Sequence, residues 1–136
     1  MNFKSLAFIS VCFAMLFVSC KKQNCIEITK LYGKWKLVEV YDVYGGGGSN
    51  GWYYISGDWL RQIEFTQNGE YSQADSYATL KQCSGSFRMP AQNKVEIFSN
   101  CDPAIENFTI TELTDANLVI DQLGTEGIIR YKYKKQ

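Results

Sequence analysis

The sequence predicts an all-β domain: an antiparallel up-and-down meander of eight strands closed into a small barrel. Three observations lead there. Beyond residue 30 the chain is rich in tyrosine, valine, isoleucine and threonine, and Gly, Asn, Asp and Pro interrupt it at short intervals. No apolar stripe with a helical period runs through it. Two hairpins, considered below, place apolar side chains opposite one another on a single face.

Taking the chain in order, residues 1–19 carry one lysine, Lys4, and then an apolar run from Leu6 to Val18. That run is shorter than the roughly 20 residues a bilayer requires, and its layout is that of a signal peptide. Leu16-Phe17-Val18-Ser19-Cys20 resembles the lipobox of bacterial lipoproteins. The resemblance implies that Cys20 is lipidated and becomes the first mature residue, anchoring the protein in the outer membrane. Residues 20–30 then form the lipidated cysteine and a short linker. Surface-exported lipoproteins of some bacteria carry an acidic cluster just after this cysteine. Lys21 and Lys22 stand there instead, which favours the periplasmic face.

Residues 31–136 are expected to form the barrel domain. A helical turn over 27–32 leads into strands at 33–44, 61–66, 70–78, 82–89, 94–99, 106–111, 117–121 and 128–134. Connections of two to six residues suit a meander. Between 65 and 71, a three-residue loop with Gly69 left-handed pairs Phe65 with Tyr71 and sends both rings inward, whereas a two-residue loop would separate them. The next hairpin, centred on Gln92, pairs Met89 with Val95, Phe87 with Ile97, Gly85 with Ser99, and Cys83 with Cys101.

That register brings the Cys83 and Cys101 α-carbons into disulfide range, and an oxidising compartment would keep the bridge. Two buried thiols, or a bridge from Cys25 to either of them, are the competing arrangements. With no histidine to lower its pKa, Cys25 reads as an incidental or intermolecular thiol.

Leu31-Tyr32-Gly33-Lys34-Trp35-Lys36-Leu37 resembles the start of the lipocalin fold, where a short helical turn leads into a Gly-x-Trp on the first strand. Ile63 to Tyr71, Cys83-Ser84-Gly85-Ser86-Phe87 and Tyr131-Lys132-Tyr133-Lys134-Lys135 are similar to the lipocalin-like domain of small bacterial lipoproteins. The resemblance spans about residues 31 to 135. It implies that Gly33 and Trp35 form the fold motif, with the indole closing the barrel floor under a basic side chain from the last strand. Arg130 is the candidate for that cover, although inward Ile129, Tyr131 and Tyr133 would turn it outward. The Thr-Asp-Tyr motif of the better known lipocalins is absent.

Charge and composition narrow the function. Fourteen basic and fourteen acidic residues give a net charge of zero, without the basic footprint that nucleic-acid binding needs. The chain has no histidine, which removes histidine-based triads and histidine-ligated metals. The glycine run at 45–48 lacks the lysine of a phosphate loop. Asp115-Ala116-Asn117 lacks the glycine and glutamate of a calcium loop and reads as a turn. Glu64, Glu70, Asp75, Glu96, Glu106 and Glu126 are expected mostly on solvated outer faces. No enzyme, cofactor or metal is expected.

The expected role is binding of a small apolar or amphipathic ligand. Trp35, Phe65, Tyr71, Phe87 and Tyr131 are the expected cavity residues, along with Leu37, Ile97, Phe108 and Ile120. Trp52, Tyr53, Tyr54 and Trp59 either plug the mouth as an aromatic lid or face the ligand. The alternative is a protein-interaction module, such as an envelope hydrolase inhibitor, whose barrel is filled by side chains.

Overall fold

A computed structural model describes residues 26–42, 51–55, 60–76, 81–124 and 127–136. The signal segment, Cys20, Cys25, the glycine run at 45–48, Trp59 and Glu126 lie outside the described residues. Among the described residues a 3-10 turn, Ile28–Lys30, precedes nine strand segments. These are β1 (Gly33–Asp42), β2 (Gly51–Tyr54), β3 (Arg61–Phe65), β4 (Glu70–Asp75), β5 (Lys81–Ala91), β6 (Lys94–Ser99), β7 (Asp102–Leu113), β8 (Asn117–Leu123) and β9 (Ile128–Lys135).

Consecutive strands pair antiparallel from β3 to β9, and β9 returns to β1 to close the barrel. The ninth segment does not add a stave. β2 pairs with the upper part of β1, Glu39 to Asp42, while β3 pairs with its lower part, Gly33 to Lys36. The two share one position, so the closed barrel has the eight strands expected. Residues 51–54, expected from sequence to belong to a loop, form β2. Trp52 and two tyrosines are strong strand formers, and they extend the ladder opposite Tyr41, Val40 and Glu39.

The β3–β4 hairpin has the expected three-residue loop: Phe65 faces Tyr71, Gly69 sits at φ 81°, and its N–H donates to the Thr66 carbonyl at 3.2 Å. In the β5–β6 hairpin, Phe87 opposite Ile97 and Gly85 opposite Ser99 are as expected. Met89 is not held opposite Val95. The register shifts beyond Arg88 so that Ala91 meets Lys94, and the extra residue is taken up as an irregularity. Cys83 and Cys101 form a disulfide with α-carbons 5.5 Å apart.

The closed lower end is a packed floor. Leu31 and Trp35 are fully buried, and the Trp35 indole N–H donates to the Leu31 carbonyl at 2.8 Å. Phe65 packs against Phe87, with ring centroids 4.9 Å apart. The basic cover over Trp35 is Lys135. Its Nζ lies 4.9 Å from the ring centroid and donates to the Lys30 carbonyl at 3.0 Å. Arg130 does not fill that role, because β9 alternation puts residues 131, 133 and 135 inside, and Arg130 pairs on the outer face with Asp121 at 2.6 and 2.8 Å. Gly33 makes room for the cover. It has φ 122°, and a Cβ there would lie 3.1 Å from the Lys135 side chain.

Candidate functional site at the barrel mouth

Above the floor the barrel is not filled. A cavity of about 260 Å³ opens at the end where β3, β5, β7 and β9 begin. Its base is apolar, formed by Ile63, Ile97, Phe108 and Ile120, and its upper wall is polar: Arg61, Gln73, Lys81, Asp102, Glu106 and Gln122. Tyr71, Tyr131 and Tyr133 join the two levels, and the Cys83–Cys101 bridge forms part of the rim.

Strand alternation produces this layering. Along β4, buried Tyr71 places Gln73 and Asp75 on the same inner face; along β3, buried Phe65 and Ile63 do so for Arg61; along β7, buried Phe108 does so for Glu106. Asp75 and Glu106 therefore depart from the outward placement expected for the carboxylates. Their positions are near the open end, where an inward polar group meets water or a partner. By contrast, Glu64 pairs with Lys34 on the outer face as expected.

The wall is linked electrostatically. Asp75, 8% exposed, accepts from Arg61 Nε and Nη2, each at 2.8 Å. Burial works against the Arg61 charge, but Tyr133 and Asp75 outweigh it, and its pKa lies above the ordinary guanidinium value. The Arg61 guanidinium carbon is 5.9 Å from the Tyr131 ring centroid. Tyr71 donates to Gln73 Oε1 at 2.6 Å, and Tyr131 to Gln122 Oε1 at 3.2 Å. Burial pushes the Tyr71 and Tyr133 phenols above the ordinary value, and burial together with Asp102 raises the Glu106 carboxyl despite Arg61 and Lys81.

The residues proposed from sequence divide between three places. Tyr71 and Tyr131 line the cavity. Trp35, Phe65 and Phe87 belong to the floor beneath it. Trp52 lies on the outer wall, its ring 5.6 Å from Tyr41 and 5.7 Å from Lys132 Nζ, while the register puts Tyr53 on the inner face beside Val40. The β1 irregularity between Leu37 and Glu39 produces this split, since it exchanges inner and outer parity along the upper half of the strand. Arg61, Gln73, Glu106 and Gln122 were missed, although counting in twos from Phe65, Tyr71, Phe108 and Ile120 finds each of them. Among the described residues no group of three metal-binding side chains gathers.

A lipocalin-like protein from Bacteroides uniformis, known from its crystal structure, superposes with a TM-score of 0.60 at 14% sequence identity, covering 79% of this chain and 99% of that one. The fold is lipocalin-like. No protein-family model and no curated protein matches the sequence. Among the described residues the lipocalin-like barrel thus has a packed lower half and a cavity in its upper half, and that division sets what it can hold. About 260 Å³ falls just below the roughly 300 to 1,000 Å³ usual for ligand sites, so the space suits a small molecule and not a long acyl chain.

Proposed function

We propose that this protein is a non-catalytic, lipid-anchored envelope lipoprotein that holds a small amphipathic molecule in the mouth of its barrel. One observation carries the reading: a cavity that is apolar at its base and polar at its rim, in a barrel otherwise filled by side chains. Of the apolar and amphipathic ligands expected from sequence, the ring of Arg61, Gln73, Glu106 and Gln122 favours the amphipathic one. The lipobox-like Leu16 to Cys20 supports the anchor, and the absence of histidine supports binding over chemistry. Periplasm-facing attachment to the outer membrane is part of the same reading.

Native mass spectrometry of the full-length protein, purified from its own envelope in mild detergent, tests it. A small molecule should co-purify and should be lost from Ile97→Trp, which fills the cavity base. An empty wild-type protein would sink the proposal. A second reading, a protein-interaction module such as an envelope hydrolase inhibitor, has its own observation. Trp52, 41% exposed beside Tyr41, and Tyr54, 77% exposed opposite Glu39, share the outer wall as an aromatic ledge that a partner could cover. Stoichiometric capture of one envelope protein, abolished by Trp52→Ala and not by Ile97→Trp, would favour that reading.

A further inference from the structure

Glu106 stands out among the charged groups of the cavity. Arg61 has its counter-charge in Asp75 at 2.8 Å. Glu106 is half-buried and faces the same space, yet among the described residues it makes neither a hydrogen bond nor an ion pair. A carboxylate partly removed from water without a partner is unfavourable, and a barrel wall built of strands had apolar residues available for that position. Arg61, paired with Asp75, and Lys81 at the exposed rim act on Glu106 only through space, and against these two cations stand three carboxylates, Asp75, Asp102 and Glu106, an excess of negative charge.

The hydroxyls point the same way. Tyr71 and Tyr131 each spend their single O–H on a glutamine oxygen, so toward a ligand these phenols can only accept. The glutamine amides keep their N–H donors for the neutral part of a ligand, while the half-buried Glu106 carboxylate beside the phenol oxygens, over a base of isoleucine and phenylalanine, complements a positively charged N–H donor on an apolar body.

We propose that the mouth cavity takes a small molecule carrying a protonated amine on an apolar body, with Glu106 as the residue that reads the amine. This rests on the cavity-binding reading above and deepens it by naming the ligand class. The amine pairs with Glu106 while the body occupies the space over Ile97 and Phe108. A carboxylate of the same size meets Asp102 and Glu106 with like charge, and a neutral alcohol forms no ion pair.

The test uses the full-length lipidated protein in nanodiscs and three probes of one size: phenethylamine, 2-phenylethanol and phenylacetate. Isothermal titration compares wild type, Glu106→Gln and Ile97→Trp in identical discs, so that partition into lipid cancels. Phenethylamine should bind wild type at least about tenfold more tightly than 2-phenylethanol, with phenylacetate weakest. Glu106→Gln should bring the amine to the level of the alcohol while leaving the alcohol unchanged, and Ile97→Trp should weaken all three. An amine preference that survives Glu106→Gln, an equal or stronger affinity for phenylacetate, or loss of alcohol binding in Glu106→Gln would each overturn the proposal. Binding of the alcohol without an amine preference refutes the amine alone, whereas failure of all three probes on wild type removes the cavity reading with it.

Discussion

Replacing Gly85 with alanine should damage this domain more than the same change at Gly33 or Gly51, the other glycines in its described strands. Gly85 lies on β5 opposite Ser99 of β6. A Cβ there would sit 1.8 Å from the Phe98 carbonyl oxygen, 2.8 Å from its carbon and 2.9 Å from the Ser99 Cα, all backbone atoms that no side-chain rotation can clear. To restore contact the strands must part by more than an ångström, and both flanks resist. On one side Asn100 N–H donates to the Ser84 carbonyl at 3.0 Å, Ser84 N–H to Asn100 Oδ1 at 2.9 Å, and the Cys83–Cys101 bridge follows. On the other, Phe87 is held opposite Ile97. Overpacking costs about 1 to 3 kcal/mol, and loss of two hydrogen bonds adds about 1 each, so the expected cost is about 3 to 5 kcal/mol. Domains of this kind have only about 5 to 15 kcal/mol to lose. Urea unfolding followed by circular dichroism measures it. Removing the bridge with Cys83→Ala and Cys101→Ala should let the strands part more easily, so that Gly85→Ala costs at least about 1 kcal/mol less in that background in a double-mutant cycle. A cost below about 1 kcal/mol in the bridged protein, within the range of an ordinary surface substitution, would refute the reasoning.

Three further expectations accompany it. The disulfide closes a separation of 18 residues, and its removal by paired Cys83→Ala and Cys101→Ala should cost about 3 kcal/mol; a single Cys83→Ser should expose Cys101, and not Cys25, to alkylation. Lys135→Ala should cost about 1 to 2 kcal/mol by uncovering Trp35, against about 0 to 1 for Arg130→Ala, whose pair with Asp121 lies on the outer wall; the reverse order in urea unfolding would refute the floor described for Lys135. Tyr71 and Tyr133 bind their protons more tightly folded than unfolded, so their contribution is intact below the ordinary phenol pKa near 10 and is lost as pH rises past it. Alkaline titration followed at the phenolate band should therefore find two of the nine tyrosines ionising only as the domain unfolds; full reversible ionisation of all nine in the folded state would contradict it.

Much of the barrel was legible because strand periodicity is short and exact. Once Phe65 was set opposite Tyr71 and Phe87 opposite Ile97, the faces of four strands and the Cys83–Cys101 bridge followed. Where the alternation is interrupted, legibility stops. The irregularity at Leu37/Glu39 turns Trp52 to the outer wall, and the shift beyond Arg88 moves Met89 off Val95. The cavity is harder to read, because charge on a strand ordinarily signals an outward face. Near the barrel mouth that inference fails, because inward Arg61 and Asp75 pair with one another and Glu106 stands half-buried on the cavity wall. The cover over Trp35 shows the opposite case, since alternation already argued against Arg130 and the same counting leads to Lys135.

The chain enters this barrel at the sealed end. Ile26 packs against the core there, and Lys30 hands its carbonyl to Lys135 beneath Trp35. Cys20 precedes Ile26 by six residues, a leash of at most about 20 Å at roughly 3.4 Å per residue. Under the proposed anchoring at Cys20, the plugged base would face the bilayer and the cavity the aqueous phase. Cargo would arrive by diffusion through that phase or by transfer from another carrier, and lateral exit from the lipid would find only the indole of Trp35 and the lysine that caps it. Lengthening the leash, not widening the barrel, is then the change that would give the opening access to the membrane surface.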